Sequence, residues 1–393
     1  MRPQLVELGE LMPGRGVSVD PAKHPDEEFA LFSVPAYDSQ VPDRVKGRQI
    51  GSSKQVVHPG DVLLSKIVPH IRRAWIVPES DQRRKIGSSE WIIFRSPRFH
   101  GPYLRHLLIS DQFNSKLMQT VSGVGGSLLR ARPTGVAKIK VPLPSIEEQR
   151  RIAAMLDKAE ELRAKRRAAI ALLDQLLHAI FLEMFGDPTS NPNGWPNTTK
   201  LAEVSEPVSG ITKGRKINGK AMREIPYLAV VNVQDRHLNL NTVKTIEATE
   251  EEIERYRLLP GDLLLTEGGD PDKLGRGSLW NGELPEAIHQ NHIFRVRVTS
   301  PALTPLYLSW LIGSSYGKTY FLRQAKQTTG IATINMGQLK AFPLLLPPLE
   351  LQHQFAARVE AIHGAKAAHQ SVLANIDSLF ASLQNRAFAG GLS

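Results

Sequence analysis

Two stretches of the chain carry apolar residues at spacings that alternate between three and four. The first runs from Leu156 to Met184 and the second from Val359 to Ala387. A stripe that recurs every 3.5 residues is typical of a coiled-coil seam. No Gly or Pro lies between Pro144 and Gly186, so we expect an unbroken helix there. About 40 residues at 1.5 Å each span roughly 60 Å.

We predict that the two helices pair with each other as an antiparallel coiled coil. A globule of about 145 residues is some 30–40 Å across, so each helix is too long to lie on its own domain. The alternative is that each stripe covers the domain before it. Charged residues in the middle of the seams (Arg163, Arg166, Lys366 and His369) predict a solvated centre that sets the register. The predicted pairing residues are Leu156, Ile170, Leu173, Leu177, Ile180, Val359, Ile362, Leu373, Ile376, Phe380 and Leu383.

The rest of the chain consists of short apolar runs between Gly and Pro residues. Trp91-Ile92-Ile93-Phe94 and Tyr227-Leu228-Ala229-Val230-Val231 are two examples, and such runs are typical of strands. One helical pattern follows in each half, over 102–118 and over 305–322. The pattern as a whole predicts an α+β fold with two similar strand-rich mixed domains, each followed by a long helix.

The two halves also repeat each other in sequence. Leu143-Pro144 recurs as Leu346-Pro347, 203 residues later, and Pro59-Gly60-Asp61 recurs as Pro260-Gly261-Asp262, 201 residues later. Two copies are too few for a solenoid, so we predict a pseudo-twofold pair within one polypeptide. The predicted parts are a first domain at 1–143, a central helix at 144–186, a second domain at 187–345 and a C-terminal helix at 346–393.

Composition narrows the class of protein. The formal net charge of +10 and the pI of about 9.7 favour a polyanionic partner, although charge alone leaves solubility as an equal explanation. The chain has no cysteine, which excludes disulfides and zinc–thiolate sites. The N-terminus lacks the apolar core of a signal peptide. We expect no apolar run near the ~18 residues of a membrane span, and therefore a cytoplasmic protein.

Motifs for nucleotide binding, metal binding and catalysis are incomplete. The segment 313–319, Gly-Ser-Ser-Tyr-Gly-Lys-Thr, has one residue too few between its glycines for a phosphate-binding loop, so we expect a surface helix rather than an ATP site. His289 and His292 lie close in sequence without a third metal ligand. Acidic residues are scattered. We expect no catalytic residues and no metal in this chain.

Basic and polar residues concentrate in loops at corresponding places of the two copies. Lys and Arg neutralise DNA phosphates, Arg can pair with guanine, and Asn or Gln can pair with adenine. The alternative is that these are solvated loops without a ligand. We expect the loops 66–73 and 266–276 to read bases, with Lys46, Arg48, Lys213 and Arg215 on phosphates. The expected DNA-binding residues are Lys46, Arg48, Lys54, Lys66, His70, Arg72, Arg73, Lys213, Arg215, Lys216, Lys273, Arg276, Gln290, Asn291 and His292.

Taken together, these motifs resemble the specificity subunit of type I restriction-modification enzymes, in the same order and over nearly the whole chain. Leu351 departs from the pattern, because the family usually has Glu before the Gln at position 352. This departure puts a contact at the second helix start in doubt. The segments that carry the resemblance are 142–152 and 346–352 at the two helix starts, 184–195 at the entry to the second domain, and 259–265, 273–276 and 290–295 within it.

The resemblance implies a non-catalytic subunit that reads double-stranded DNA at a bipartite, interrupted site. The domains at 1–143 and 187–345 would be target-recognition domains that each bind one half-site, and the helices at 144–186 and 346–393 would be paired spacer helices that fix the gap. Two modification subunits, which bind S-adenosylmethionine and methylate adenine N6, would dock on the chain. Restriction translocase subunits that use ATP and Mg would join them, while this chain would hold no cofactor and contact no membrane. A rival hypothesis is a coiled-coil scaffold that recruits proteins without sequence-specific DNA binding.

Overall fold

The structure is a computed structural model that describes residues 4–14, 16–79, 81–123, 129–215, 221–270, 273–328 and 330–389. The chain forms two compact units. The first contains Met1–Ala169 and His369–Ser393, and the second contains Ile170–Ala368. This division falls in the middle of each long helix. The domain boundaries at 143, 186 and 345 stay a prediction.

The first unit combines a three-stranded sheet, a five-stranded sheet and short helices. The three-stranded sheet has the antiparallel order β7-β6-β9, and the five-stranded sheet has the order β2-β5-β8-β3-β4, in which β3 and β8 are parallel. The elements are β1 (Leu5–Glu7), β2 (Ser18–Val19), β3 (Glu28–Phe32), β4 (Asp43–Lys46), β5 (Lys54–Val56), β6 (Val62–Ser65), β7 (Ala74–Ile76), β8 (Arg84–Gly87), β9 (Trp91–Phe94), α1 (Gly101–Leu108), α2 (Asp111–Met118), β10 (Val121–Ser122), β11 (Arg130–Ala131), α3 (Pro133–Ala137), β12 (Lys140–Pro142) and the long α4 (Ile146–Phe185), which both units share.

The second unit repeats the same central arrangement. Its strands β18-β16-β20 correspond to β7-β6-β9, and its parallel pair β14 and β19 corresponds to β3 and β8. The elements are α5 (Leu201–Val204), β13 (Ser205–Ser209), β14 (Arg223–Leu228), β15 (Lys244–Ala248), α6 (Glu250–Tyr256), β16 (Leu263–Thr266), β17 (Gly268–Gly269), β18 (Gly277–Leu279), β19 (Ile288–His289), β20 (Ile293–Val298), α7 (Pro305–Gly313), α8 (Ser315–Gln324), β21 (Lys326–Thr328), β22 (Ile331–Thr333), α9 (Met336–Lys340) and α10 (Leu349–Ala389), which is also shared.

The helical pattern that the sequence predicts as one helix in each half is two helices in the structure. The break falls at Ser110 in the first unit and at Ser314 in the second. Each serine hydroxyl donates a hydrogen bond to a carbonyl three residues earlier, Leu107 or Leu311. A serine that binds the local backbone favours a helix boundary over a helix interior. The prediction of single helices over 102–118 and 305–322 was therefore wrong, and 313–319 spans the boundary between α7 and α8.

The Pro-Gly-Asp turn keeps the same ion pair in both units. Asp61 is almost fully buried and accepts two hydrogen bonds from the Arg95 guanidinium, at 2.7 and 2.6 Å. Asp262 accepts two from Arg297, both at 2.8 Å. Each ion pair links the start of the strand after the turn (β6 or β16) to the neighbouring strand (β9 or β20). The repeated motif therefore stabilises the central sheet of each unit.

A buried glutamine anchors the start of each long helix. The Gln149 side chain accepts from His100 N and donates to the carbonyls of Arg98 and Pro144. Gln352, 203 residues later, accepts from Thr304 N and donates to the carbonyls of Ala302 and Pro347. The departure at Leu351 leaves this set of bonds intact.

Within the first unit, the start of α4 and the end of α10 run antiparallel. Arg163 Nε lies 2.5 Å from Asp377 Oδ1, and Arg166 Nη1 lies 3.1 Å from His369 Nδ1. The partner number falls as the α4 number rises, which defines the direction. At the end of α10, Phe388 packs edge-on against Tyr103 of α1.

Within the second unit, the end of α4 and the start of α10 are joined in the corresponding way. Lys366 Nζ lies 2.6 Å from Asp174 Oδ1, and these two residues are 203 positions from Arg163 and Asp377. Phe185 contacts Tyr307 and Phe355. The predicted α+β class with antiparallel helix pairing is confirmed. Of the predicted pairing residues, Leu156, Leu177, Val359, Ile362 and Phe380 are buried, while Ile170, Leu173, Ile180, Leu373, Ile376 and Leu383 are partly buried.

By length and composition alone, α4 could cross a membrane, because its most apolar window has a mean hydropathy of 1.6. The prediction that no apolar run approaches a membrane span was wrong on this point. In the second unit, however, Phe181 and Phe185 of this helix are buried in the core, and Asp174 pairs with Lys366. Core helices pass the same test, so this is a weak indication of a membrane protein.

Candidate nucleic-acid interface

In the second unit, hydrogen bonds join the segments in which the sequence places DNA-binding residues. Ile211 N donates to the His289 carbonyl, and Asn291 N donates to the Ile211 carbonyl. Glu267 N donates to the His292 carbonyl. These bonds make one continuous surface from three segments: the turn after β13 (210–215), the loop from β16 to β18 (267–276) and the segment around β19 (289–293).

Gly210 allows the first of these segments to lie against the third. A Cβ atom at this position would stand only 1.9 Å from the His289 carbonyl oxygen. Such an approach is closed to any residue with a side chain. The glycine thus fixes where Lys213 and Arg215 lie relative to Gln290 and Asn291.

His289 supports this surface from the inside. It is fully buried, and its Nδ1 lies 3.0 Å from the Ile293 carbonyl oxygen. Because a carbonyl only accepts, Nδ1 carries the proton of the neutral ring. Burial lowers the pKa of His289 to about 4. His289 therefore has a structural role, while His292, exposed and 2.6 Å from Glu267, lies on the surface.

Two of the predicted cations on this surface, Arg215 and Lys273, are paired with carboxylates. Arg215 makes two hydrogen bonds to Glu252, at 2.5 and 2.6 Å, and this pairing lowers the pKa of Glu252 to about 2. Lys273 pairs with Asp270. Lys213 instead lies 5.1 Å from the centre of the Tyr227 ring. The remaining placements are Arg276 bound to the Gln234 side chain, Gln290 and Asn291 partly buried, and Lys216 outside the described residues.

In the first unit, the loop from β6 to β7 has an unusual backbone. Val68 and Arg72 adopt the left-handed conformation, with φ of 47° and 43°, on either side of a short helical turn. Such residues are strained, and they persist where the surroundings hold them. Here Val68 N donates to the Leu129 carbonyl, and Ala131 N donates to the Lys66 carbonyl. The loop is therefore shaped independently of any ligand.

The cations of this loop also have carboxylate neighbours. Arg72 Nη1 lies 2.5 Å from Asp111 Oδ1. Arg73 lies 3.5 Å from Asp38, and Lys66 lies 4.0 Å from Glu90. His70 is exposed at the tip of the turn. Ion pairs of this kind orient a guanidinium or ammonium group and reduce the local positive charge.

The five-stranded sheet separates the remaining predicted residues. Lys46 ends β4 opposite Glu28, at the beginning of β3. Lys54 begins β5, whose next residue faces Gly87 at the other end of β8. Arg48 lies near Lys46 in the chain and pairs with Asp26 at 2.5 Å. The structure thus places Lys54 toward the end of the sheet that leads to Glu90 and Lys66, and Lys46 and Arg48 toward the opposite end.

Sequence reasoning missed two residues at this interface, Gln234 and Arg236. They belong to a tight turn that is closed by a hydrogen bond from Gln234 N to the His237 carbonyl. Arg236 has a φ of 57°. No local pattern marks this turn as a neighbour of Arg276, since the two arginines are 40 residues apart.

One group of side chains in the first unit could hold a metal ion by its geometry. The ligand atoms of His106, Asp157 and Glu160 lie within 4.8 Å of one another. His106 already lies 2.7 Å from Asp157, and Arg105 donates to Glu160 at 2.8 Å. The positive charge of the Arg105 guanidinium beside these ligand atoms disfavours binding of a metal cation. Burial lowers the pKa of His106 in spite of the Asp157 hydrogen bond, and the group fits a polar link between α1 and α4.

Comparison with known proteins shows which chains are similar to this one. No family model matches the chain. The specificity subunit of the type I restriction enzyme StySPI from Salmonella potsdam is 25% identical over 318 residues, which cover 76% of this chain and 67% of that subunit. The specificity subunit of EcoKI from Escherichia coli (strain K12) is 25% identical over 310 residues, 74% of this chain and 65% of that subunit. The chain is a homologue of type I restriction enzyme specificity subunits.

This specificity-subunit homologue also matches a solved structure. A chain from work on complex assembly and conformational transition of the type I R-M system aligns over 100% of this chain and 98% of its own length, with a TM-score of 0.65 and 22% identity. At that identity the likeness shows the fold alone. The chain spans about two thirds of the length of the curated relatives that it matches. The predicted family resemblance is confirmed.

Proposed function

We propose that this chain is the non-catalytic DNA-recognition subunit of a type I restriction-modification complex. The observation that carries the proposal is the duplication of one fold with different loops at the same place. The β6–β7 loop presents Lys66, His70 and Arg73, whereas the β16–β18 loop presents Lys273 and Arg276. Two related domains with different loop chemistry suit two different half-sites of one interrupted DNA sequence.

The basic surfaces support double-stranded DNA as the ligand. Lys46, Lys54 and Lys213 have no carboxylate within 4.0 Å in the described part of the chain, so they can neutralise phosphates without giving up an internal ion pair. The ion-paired arginines suit a different task. A guanidinium held by a carboxylate keeps N–H groups in a defined direction, as base readout requires.

We further propose that two modification subunits dock on the long helices. Leu176 of α4 and Leu379 of α10 lie outside the seam and are 44% and 55% exposed. They occupy equivalent positions, 203 residues apart, which supports two equivalent docking sites. The modification subunits would supply S-adenosylmethionine, and restriction translocase subunits would supply ATP and Mg. A cytoplasmic location follows from these partners.

Exchange of the first domain tests the recognition role. Residues 1–143 are transferred into a related specificity subunit, and methylated adenines are mapped in the genome of cells that express the hybrid with its modification subunits. One half of the recognised sequence should change to that of this chain, while the other half stays. An unchanged methylation sequence in a folded, assembled hybrid would refute the proposal.

Charge substitutions test the docking sites. Leu176→Asp and Leu379→Asp should each reduce the number of modification subunits that copurify from two to one, and the double variant should bind none. A single variant that loses both subunits, or a double variant that retains both, contradicts two equivalent sites.

A further inference from the structure

Arg236, like Lys213, has no carboxylate partner among the described residues of the second unit. Arg215 and Lys273 each pair with a carboxylate. In the described part of the chain, no carboxylate lies within 4.0 Å of the Arg236 guanidinium, and no acceptor lies within hydrogen-bonding distance of its N–H groups. Burial lowers the pKa of Arg236, and the charge of the neighbouring Asp235 carboxylate opposes that shift.

The guanidinium of Arg236 is nevertheless held in place. Its central carbon lies 3.7 Å from the centre of the Trp310 ring, the distance of a guanidinium stacked on an aromatic face. Trp310 is buried and stacks in turn on Phe181, with ring centres 5.5 Å apart. Stacking fixes the plane of the guanidinium and leaves its edge, which carries the N–H donors, for another molecule.

The backbone of Arg236 is also held in this position. Its φ of 57° lies in the left-handed region, which is unfavourable for a residue with a side chain. Arg236 N donates to the Gly277 carbonyl at 2.8 Å, which secures the turn to the residue after Arg276. Strain of this kind is retained where a residue must point in one direction.

Arg276 provides a second cation beside the same turn. Its Nη1 donates to the Gln234 side chain at 3.2 Å, and its Nε is buried without a partner among the described residues. The turn that carries Gln234 and Arg236 is thus bonded to Arg276 by a side chain and to Gly277 by the backbone. The turn that carries Arg236 is therefore fixed to the end of the β16–β18 loop, and Arg276 adds positive charge to that end.

We propose that Arg236 binds one phosphodiester group of the DNA backbone and so positions the second domain on its half-site. This inference rests on the proposed DNA-recognition function. A planar, stacked guanidinium suits bidentate binding of a phosphate. Because every sequence has the same phosphates, the site contributes affinity rather than sequence preference.

Salt-dependent DNA binding by the full-length chain tests the site. Affinity for a duplex with the recognised sequence and for one with an unrelated sequence is measured at several salt concentrations. Arg236→Ala should weaken binding to both duplexes equally, by about tenfold or more, and reduce the slope of log affinity against log salt by about 0.9. Arg236→Lys retains a charge but loses the stacked fork, so it should keep the slope and still weaken binding.

The controls separate the possible failures. Arg323→Ala removes an exposed arginine of α8 in the same unit and should change neither slope nor affinity. If the unsubstituted chain binds no DNA, the proposed function itself fails. If it binds and folded Arg236→Ala binds equally well with the same slope, only the phosphate site is refuted. A loss confined to the recognised sequence would also overturn it, because that result indicates base readout.

Discussion

The buried glutamine at the start of each long helix gives a quantitative test of the fold. Gln352 is fully buried, and its side chain bonds Thr304 N at 2.8 Å and the carbonyls of Ala302 and Pro347 at 3.0 Å each. The Thr304 hydroxyl also donates to the Gln352 side chain, at 3.1 Å. Gln352→Leu keeps the size of the side chain and removes all four bonds. Each buried group left without a partner costs about 1–3 kcal/mol.

The expected loss of stability is smaller than the sum of the costs for the individual groups, because water can reach some of the groups that lose their partner. Ala302 is exposed and Thr304 is partly exposed, whereas the bond to the Pro347 carbonyl is buried. We therefore expect Gln352→Leu to lower the free energy of unfolding by about 2–4 kcal/mol, a change of roughly 30- to 1,000-fold in the unfolding equilibrium constant. Gln149→Leu should cost a similar amount, since its bonds correspond.

Urea unfolding of the full-length chain, followed by circular dichroism, measures this loss. Gln354→Leu is the matched control, because Gln354 is exposed on the same helix and, among the described residues, its side chain bonds Glu350 alone; it should change stability by less than about 0.5 kcal/mol. If Gln352→Leu lowered stability by less than about 1 kcal/mol, the four hydrogen bonds would not hold the helix start, and the reasoning would be wrong.

Three further predictions concern other parts of the fold. Arg163→Asp should weaken pairing with Asp377, and the double exchange Arg163→Asp with Asp377→Arg should recover most of a coupling of about 0.5–1 kcal/mol in a double-mutant cycle; no recovery would argue against the ion pair. Because the pKa of His289 is about 4 when folded and about 6.5 when unfolded, the unfolded chain binds the extra proton first, so stability should fall between pH 6.5 and 4 by at most about 3 kcal/mol. His289→Asn should lose that part of the pH dependence, and an unchanged curve would refute it. Gly210→Ala should destabilise the second unit by more than about 2 kcal/mol in the same urea assay, because its Cβ would meet the His289 carbonyl; a neutral result would show that the segment is not fixed.

The two long helices could be predicted from the sequence because the seam is a local, periodic signal. The 3.5-residue period at Leu156–Met184 and Val359–Ala387 depends only on helix geometry. The structure gives α4 at Ile146–Phe185 and α10 at Leu349–Ala389. The repeated Pro-Gly-Asp and helix-start motifs likewise predicted two copies of one fold, since hydrogen bonds within a copy constrain the same residues twice.

The positions of the side chains at the interface could not be predicted in the same way. Sequence placed Lys46 and Lys54 in one set, but the strand register sends them toward opposite ends of a sheet. Carboxylate partners such as Asp111 for Arg72 are far away in sequence. The sequence shows how many basic residues a segment contains. Whether a given Lys or Arg side chain is free to bind a phosphate depends on the carboxylates that the fold places next to it.

The sequence by itself determined the helix pairing, the duplication and the family resemblance, because periodicity and motif order are written along the chain. Only the tertiary structure decided which cations have internal partners. It also placed the Arg236 guanidinium on Trp310 and bonded the Arg236 backbone to Gly277. That arrangement depends on a left-handed turn and on contacts between segments far apart in the chain, and no local pattern of residue types specifies either.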